Sequence, residues 1–100
     1  MTEVKIIYSG FYDAPLAFVA GYKGTQYLFW RVFDDELDDY PQEYEVFVLP
    51  DLSEAEVKES WAYLPKKAKT YLGKIVMSKI VFDPTKRLSI KSSVFDYLPK

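Results

Sequence analysis

The sequence contains no cysteine and no histidine among its 100 residues. Without Cys the chain can form no disulfide, no thiolate metal site and no Cys nucleophile. Without His it lacks the commonest metal ligand and the side chain that most often acts as a general base near neutral pH. We therefore predict that the protein is not an enzyme and that it holds no cofactor and no metal.

Long hydrophobic runs are also absent. No segment approaches the roughly 20 apolar residues of a membrane-spanning helix. Residues 1–10 include Glu3 and Lys5 and no long apolar stretch, so a signal peptide is not expected. Together with the lack of cysteine, this predicts a cytoplasmic protein with no membrane partner.

Aromatic residues, by contrast, are abundant, at 18% of the chain with nine Tyr and seven Phe. Because large rings bury much area per residue, a chain of this length can build one hydrophobic core. We predict a single domain over residues 1–100.

Alternating apolar residues predict strands at 3–8, 16–20, 25–33 and 43–49, and a fifth apolar run predicts a strand at 75–82. Turns are expected at Ser9-Gly10 and around Asp13. The second and third strands should form a hairpin, and the third should be central because it is apolar on both faces. The predicted fold class is α+β: a twisted antiparallel sheet of about five strands with one or two short helices packed on one face.

A capping box marks the clearest helix. Ser53 is a favoured N-cap and Glu56 follows three residues later, so a helix is predicted over residues 53–64. Pro65 either ends this helix or begins a second short one. Residues 66–72 are also read as helical, with Gly73 as the stop.

The last segment is less defined by its pattern. Residues 83–86 have turn chemistry, and residues 88–98 fit either a strand or a short helix that starts at Ser93. The predicted core consists of Ile6, Phe18, Leu28, Trp30, Val32, Val46, Val48, Val57, Trp61, Ile75, Met77 and Ile80.

Charge is divided unevenly along the chain. Residues 1–59 carry 4 basic and 13 acidic side chains, a net charge of −9, whereas residues 60–100 carry 9 basic and 2 acidic ones, a net charge of +7. Three interpretations stay open: two partner surfaces, two surfaces that neutralise each other in the fold or in a homodimer, or ordinary solvated faces.

The densest acidic segment lies between the third and fourth strands. A calcium loop would place Asp34, Glu36 and Asp38 as ligands, but its sixth position requires Gly and here is Asp39, so no cation site is assigned. The segment is either a solvated loop or a docking surface for a basic partner. Its candidate partner-binding residues are Asp34, Asp35, Glu36, Asp38, Asp39 and Tyr40.

Three aromatic residues in predicted turns are further candidates for partner contact: Phe11, Tyr12 and Tyr22. Rings at such places either fold back on the core or anchor a partner. The turn Tyr12-Asp13-Ala14-Pro15 followed by a hairpin is similar to one in some uncharacterised bacterial domains, and that similarity implies no activity.

The second half of the chain supplies candidates for a basic surface: Lys66, Lys67, Lys69, Lys86, Arg87 and Lys91. Such residues can neutralise phosphates, and Trp61, Tyr63 and Tyr71 are near enough in sequence to stack on bases. The chain has only two Arg, however, and no known nucleic-acid motif.

The leading hypothesis is a small non-enzymatic protein-interaction module that acts as a homodimer or as an inhibitor or adaptor through its acidic loop. The alternative is a nucleic-acid-binding protein that uses the Lys-rich second half. An enzyme built on a carboxylate pair ranks third, because no pair of acids is singled out by spacing or context.

Overall fold

Six antiparallel strands form one sheet in the computed structural model, which describes residues 3–98 apart from the side chain of Tyr12. The strands are β1 (Glu3–Tyr12), β2 (Ala14–Tyr22), β3 (Thr25–Trp30), β4 (Glu43–Leu49), β5 (Thr70–Val76) and β6 (Ser89–Lys91). They lie in the order β5-β4-β3-β2-β1-β6. The helices are α1 (Glu54–Glu59) and α2 (Leu64–Lys67), and 3-10 turns span Trp61–Tyr63, Met77–Lys79 and Ser92–Asp96. The predicted α+β class is confirmed, with six strands instead of about five.

The first four strands form a meander of hairpins. The predicted hairpin between the second and third strands is confirmed, and Lys23 (φ 50°) and Gly24 (φ 80°) form its turn. Two positive φ angles at these positions match the twist of the flanking strands. The turn expected at Ser9-Gly10 is wrong: β1 continues to Tyr12, and the chain reverses at Asp13.

The sheet is covered on both faces. On one, which we call the aromatic face, Phe18 stacks on Phe29 with centroids 4.5 Å apart and Tyr44 meets Phe18 edge-on at 5.3 Å. Residues 77–98 cover this face through buried side chains that include Ile80 and Val94.

On the other, which we call the helix face, buried residues of the sheet pack against Val57 of α1 and Leu64 of α2. Leu28 and Phe29 are both fully buried although adjacent strand residues point to opposite faces. The predicted central position of β3 is thereby confirmed.

The capping box forms as predicted at the start of α1. The Glu56 backbone N–H donates to Ser53 Oγ over 3.2 Å, and the Ser53 N–H donates to Glu56 Oε1 over 3.2 Å. The predicted extent of this helix is wrong, because α1 ends at Glu59. Pro65 has no N–H to bond the carbonyl four residues earlier, and it lies in the first turn of the second short helix, α2.

The expectations for residues 66–82 require correction. The helix predicted at 66–72 is wrong: α2 ends at Lys67, and the Lys69 N–H already donates to the Val48 carbonyl over 2.7 Å. Gly73 is not a helix stop, since it lies inside β5 with φ at 123°, where the register with β4 shifts. The strand predicted at 75–82 ends at Val76, because the chain turns into a 3-10 turn there. Pairing with β4 therefore determines the secondary structure of this region more than local sequence propensity does.

The tail contains both elements that the pattern left open, β6 followed by the 3-10 turn Ser92–Asp96. The turn at residues 83–86 is confirmed by a 2.9 Å hydrogen bond from the Lys86 N–H to the Asp83 carbonyl. No helix between residues 3 and 98 has the length and apolar character needed to cross a membrane.

Most of the predicted core is confirmed. Ile6, Phe18, Leu28, Val46, Val57, Ile75 and Ile80 are buried, and Trp30, Val48, Trp61 and Met77 are partly buried. Val32 is 48% exposed and was wrongly placed in the core, because β3 ends at Trp30 and the chain leaves the sheet. Phe29 and Tyr44 are fully buried and were missed.

Candidate protein-binding groove

The acidic segment lies at one end of the sheet, which we call the loop end. Because successive strands run in opposite directions, the connections that follow β1, β3 and β5 all meet there. These connections bring the turn at Asp13, the acidic loop (residues 34–39) and Met77 to the same end of the sheet.

The acidic loop is closed by its own backbone. The Asp34 N–H donates to the Asp39 carbonyl over 2.9 Å, and the reverse bond measures 3.3 Å. Asp34 Oδ1 accepts the backbone N–H groups of Glu36 and Leu37 at 2.9 and 3.3 Å. Asp38 takes a positive φ of 53°, which Asp tolerates better than most residues. The loop therefore has a defined shape, in which Asp34 also acts as a local hydrogen-bond acceptor.

A buried arginine joins the base of this loop to the core. Arg31 is only 4% exposed; its Nε donates to the Pro41 carbonyl at 3.3 Å, and its guanidinium lies 5.4 Å from the centre of the Tyr40 ring. The same guanidinium lies 6.0 Å from the Tyr44 ring. Tyr40, predicted as a partner contact, is thus half-buried at the base of the loop.

Tyr44 links this end of β4 to the beginning of β2. Its hydroxyl donates to the Pro15 carbonyl over 2.6 Å in a buried setting. Burial raises the pKa of Tyr44 well above its usual range, and the positive charge of Arg31 opposes that shift. The phenol stays neutral and remains a hydrogen-bond donor at physiological pH.

A groove of about 550 Å³ opens on the helix face between the acidic loop and the ends of β3, β4 and β5. Its apolar wall consists of Trp30, Val32, Phe33 and Pro41. Five carboxylates and one amine also line it, a net charge of −4 (Asp34, Asp35, Glu36, Glu43, Glu45 and Lys74). We call this the acidic groove. Helices α1 and α2 pack on the same face, and neither contributes a residue to the lining of the groove.

Charges inside the acidic groove are only partly compensated. Lys74 Nζ lies 3.5 Å from Glu43 Oε1, and the Tyr71 hydroxyl donates to Glu45 Oε1 over 3.3 Å. Partial desolvation and the neighbouring Glu45 carboxylate raise the pKa of Tyr71. The lysine is the one basic side chain that lines the groove within the described residues, so a strong negative potential remains.

Apolar side chains are exposed where the acidic loop meets the groove. Val32, Phe33 and Leu37 are 48%, 44% and 64% exposed. Apolar groups bordered by charged ones are typical of a surface that contacts another protein.

Residues of the fourth strand were missed as site residues. Glu43 and Glu45 are two positions apart in β4, so both point to the same face of the sheet. Trp30 joins them because it pairs with Glu45 across the two strands. The sequence signal was the Glu-x-Glu spacing, but only the strand pairing shows that it faces the acidic loop.

Two of the three turn aromatics, Tyr22 and Phe11, are absent from the lining of the acidic groove. Tyr22 stacks on Phe95 at 4.3 Å and helps cover the aromatic face, at the end of the sheet opposite the loop end. Phe11 is 37% exposed and lies 4.5 Å from the guanidinium of Arg87. The side chain of Tyr12 lies outside the described residues.

The basic candidates fall into two groups on different elements. Lys66, Lys67 and Lys69 lie in α2 and just before β5, whereas Lys86, Arg87 and Lys91 lie beside or within β6. β5 and β6 are the outermost strands of the sheet, and five strand spacings, about 24 Å, separate them.

The second basic group is also engaged within the chain. Lys86 Nζ donates to the Asp13 carbonyl over 3.1 Å, and Lys91 Nζ lies 3.2 Å from Glu3 Oε1. Arg87 packs over the ring of Phe11. These contacts secure the β6 edge to β1 and to the first turn.

A larger concavity of about 810 Å³ lies elsewhere at the loop end, lined mainly by apolar residues such as Val76 and Val81. Its carboxylate, Asp83, accepts the backbone N–H groups of Leu88 and Ser89, both over 2.9 Å, and the Thr85 hydroxyl. Partial burial raises the pKa of Asp83, but these hydrogen bonds outweigh it and lower the pKa below its usual range. Asp83 therefore holds its own turn together and offers no chemistry to the concavity.

Within residues 3–98, no group of three or more acidic side chains has an arrangement suited to a metal ion. Comparisons with protein-family models, curated proteins and solved structures find no match for this chain. The chemistry of the acidic groove is therefore the basis for assigning a function.

Proposed function

We propose that the protein is a non-enzymatic interaction module that binds a basic segment of a partner protein in the acidic groove. The observation that supports this most directly is the lining of the groove, where five carboxylates and one lysine surround an apolar wall. Lys and Arg side chains pair with carboxylates through their charge and lay their aliphatic or planar parts on apolar and aromatic surface.

A protein partner fits this surface better than a nucleic acid does. The groove has a net charge of −4 and would repel phosphates. The nucleic-acid alternative is best served by one continuous basic surface, and its six candidate residues fall into two groups on different elements, one in α2 and before β5 and one around β6. We therefore rank it second.

The charge division along the chain supports contact within the fold more than self-association. Two ion pairs join an acid of the first half to a lysine of the second: Glu43 with Lys74 and Glu3 with Lys91. A cytoplasmic location also belongs to this proposal, since a chain without cysteine suits a reducing compartment.

The test uses a fluorescent peptide of alternating arginine and valine, with an alternating glutamate and valine peptide as the charge control. Fluorescence anisotropy should show binding of the basic peptide that weakens as salt rises, and no binding of the acidic one.

The decisive comparison is between two double variants of equal charge change. Asp35→Asn with Glu45→Gln alters the groove, and Asp51→Asn with Glu59→Gln alters exposed positions outside it. We expect the groove variant to weaken binding about tenfold, since the two solvent-accessible ion pairs that it removes contribute up to about 1 kcal/mol each, and the control to change it less than about twofold. Equal weakening by both would show only general attraction to an acidic protein and would refute the proposal.

A further inference from the structure

The two edges of the sheet are protected differently. At one edge, β6 has three residues, and the segment around Phe82 covers it. The Lys91 N–H donates to the Val81 carbonyl over 2.8 Å, and the Asp83 N–H donates to the Ser89 carbonyl over 2.9 Å. At the other edge, β5 has seven residues and, within residues 3–98, pairs with β4 alone.

The alternation of hydrogen bonds between β4 and β5 shows which backbone N–H and C=O groups of β5 point away from β4. The Met77 N–H donates to the Gln42 carbonyl over 2.9 Å, so that pair is a hydrogen-bonded one. Hydrogen-bonded and non-bonded pairs alternate along an antiparallel ladder. Lys74 therefore directs its N–H and C=O away from β4, and Val76 directs its N–H the same way, while the Val76 carbonyl caps the 3-10 turn that follows. The register shift lies opposite Val46 and Phe47, so residues 74–76 keep a regular extended form.

This open stretch borders the acidic groove. Val76 pairs with Glu43, and Lys74 pairs with Glu45, so all four side chains lie on the helix face. Lys74 itself lines the groove. An extended chain placed beside β5 would direct every second side chain toward the groove carboxylates.

We infer that β5 is a docking strand: an extended segment of a partner protein, bearing Lys or Arg at alternate positions, pairs with residues 74–76 and directs those side chains into the acidic groove. Backbone pairing supplies affinity, and the groove selects the side chains. This inference rests on the proposed function and specifies the mode of binding.

A second copy of this chain is the less suitable occupant. Antiparallel pairing of two β5 strands would bring together two grooves that each have a net charge of −4. Like charges brought together at an interface are unfavourable. A basic segment instead meets opposite charge along the groove.

Val76→Pro tests the docking strand. Val76 has φ at −71°, close to the angle that proline imposes, and its outward N–H takes no part in the ladder with β4. The substitution therefore removes one outward donor and places a ring against the incoming strand. Val76→Thr keeps the N–H and the branched shape and is the matched control.

We expect Val76→Pro to weaken binding of the arginine-valine peptide at least about tenfold, and Val76→Thr to change it less than about twofold. Both variants should melt close to the wild type. A second probe avoids any effect on folding: the same peptide with every second backbone nitrogen methylated should lose binding to the unaltered protein.

Several outcomes would overturn the inference, and they are distinguishable. Equal binding to wild type and Val76→Pro, with loss only in the groove double variant, would retain the proposed function and refute strand pairing. Undiminished binding of the methylated peptide would refute strand pairing as well. Failure of the wild type to bind the basic peptide would refute both proposals. A dimer in sedimentation equilibrium that Val76→Pro dissociates would show that a second copy is the occupant.

Discussion

The hydroxyl of Tyr44 offers the most direct test of how the loop end is held together. Tyr44 is fully buried and donates to the Pro15 carbonyl at 2.6 Å. Tyr44→Phe keeps the ring edge-on against the stacked pair Phe18 and Phe29 but removes the donor, so a buried carbonyl loses this partner. The substitution changes hydrogen bonding and leaves packing nearly intact.

A buried acceptor that loses its donor costs about 1–3 kcal/mol. We expect Tyr44→Phe to lower the free energy of unfolding by about 2 kcal/mol, which corresponds to about 10 °C in melting temperature for a domain of this size. Urea unfolding followed by the fluorescence of Trp30 and Trp61 would measure it. Tyr71→Phe is the matched control, because Tyr71 is 51% exposed and its hydroxyl bonds a surface carboxylate. We expect Tyr71→Phe to lower the free energy of unfolding by less than about 0.5 kcal/mol.

The pH dependence of the free energy of unfolding is a second test of the role of Tyr44. Burial raises the pKa of Tyr44 in the folded state, and Arg31 only partly opposes the rise. In the unfolded chain the phenol ionises near pH 10. Its stabilisation is therefore complete below about pH 10 and is lost as pH rises toward the folded pKa. The stability of Tyr44→Phe should fall less steeply in that range. Equal, small losses for Tyr44→Phe and Tyr71→Phe would show that the buried hydrogen bond contributes little, contrary to this reasoning.

Two further predictions concern Gly10, which has a positive φ within β1, and the turn held by Asp83. Gly10→Ala should destabilise the fold more than Gly24→Ala: both sites have positive φ, which costs about 1–2 kcal/mol for Ala, but only at Gly10 would the new Cβ approach Leu16 Cδ1, at 2.8 Å. Urea unfolding of both variants would measure the difference, and an equal loss would contradict the steric explanation. Asp83→Asn should lower stability at neutral pH, because the hydrogen bonds that lower the pKa of Asp83 stabilise its ionised form above about pH 4. That stability is lost as pH falls through the lower folded pKa, so unfolding curves of wild type and variant should converge in acid, and a constant gap would refute the assignment.

Sequence patterns predicted the elements whose signals are local. The fourth strand was predicted at its observed bounds because Tyr44, Val46 and Val48 alternate with residues that point to the opposite face of the sheet, and because Pro50 follows. The capping box of Ser53 and Glu56 needed only a spacing of three.

Elements that depend on distant pairing were misplaced. The fifth strand contains Gly73 and lacks clean alternation, and its position is set by the ladder with β4, some thirty residues earlier. Tyr22 read as an exposed hairpin tip because its stacking partner, Phe95, comes more than seventy residues later. No window of local pattern contains either relationship.

Sequence patterns predicted only part of the candidate site, because the rest of it depends on strand pairing between distant residues. The acidic loop is a contiguous run of charge, so it was recognised directly. The opposite side of the acidic groove comes from three neighbouring strands, through Trp30, Glu45 and Lys74, and exists only once those strands pair. The role of Arg31 beneath the loop was likewise invisible, because a single charged residue in a strand does not reveal what it faces.

The cover of the aromatic face has a consequence for synthesis of the chain on the ribosome. Phe18, Phe29 and Tyr44 are made before the residues that seal them, among them Ile80 and Val94. A nascent chain that has emerged as far as β5 has the first five strands of the sheet available for pairing, yet its aromatic face is still exposed to solvent. Such exposed surface favours aggregation. The final quarter of the chain therefore completes the fold and also ends the period in which the growing polypeptide is most vulnerable to wrong associations.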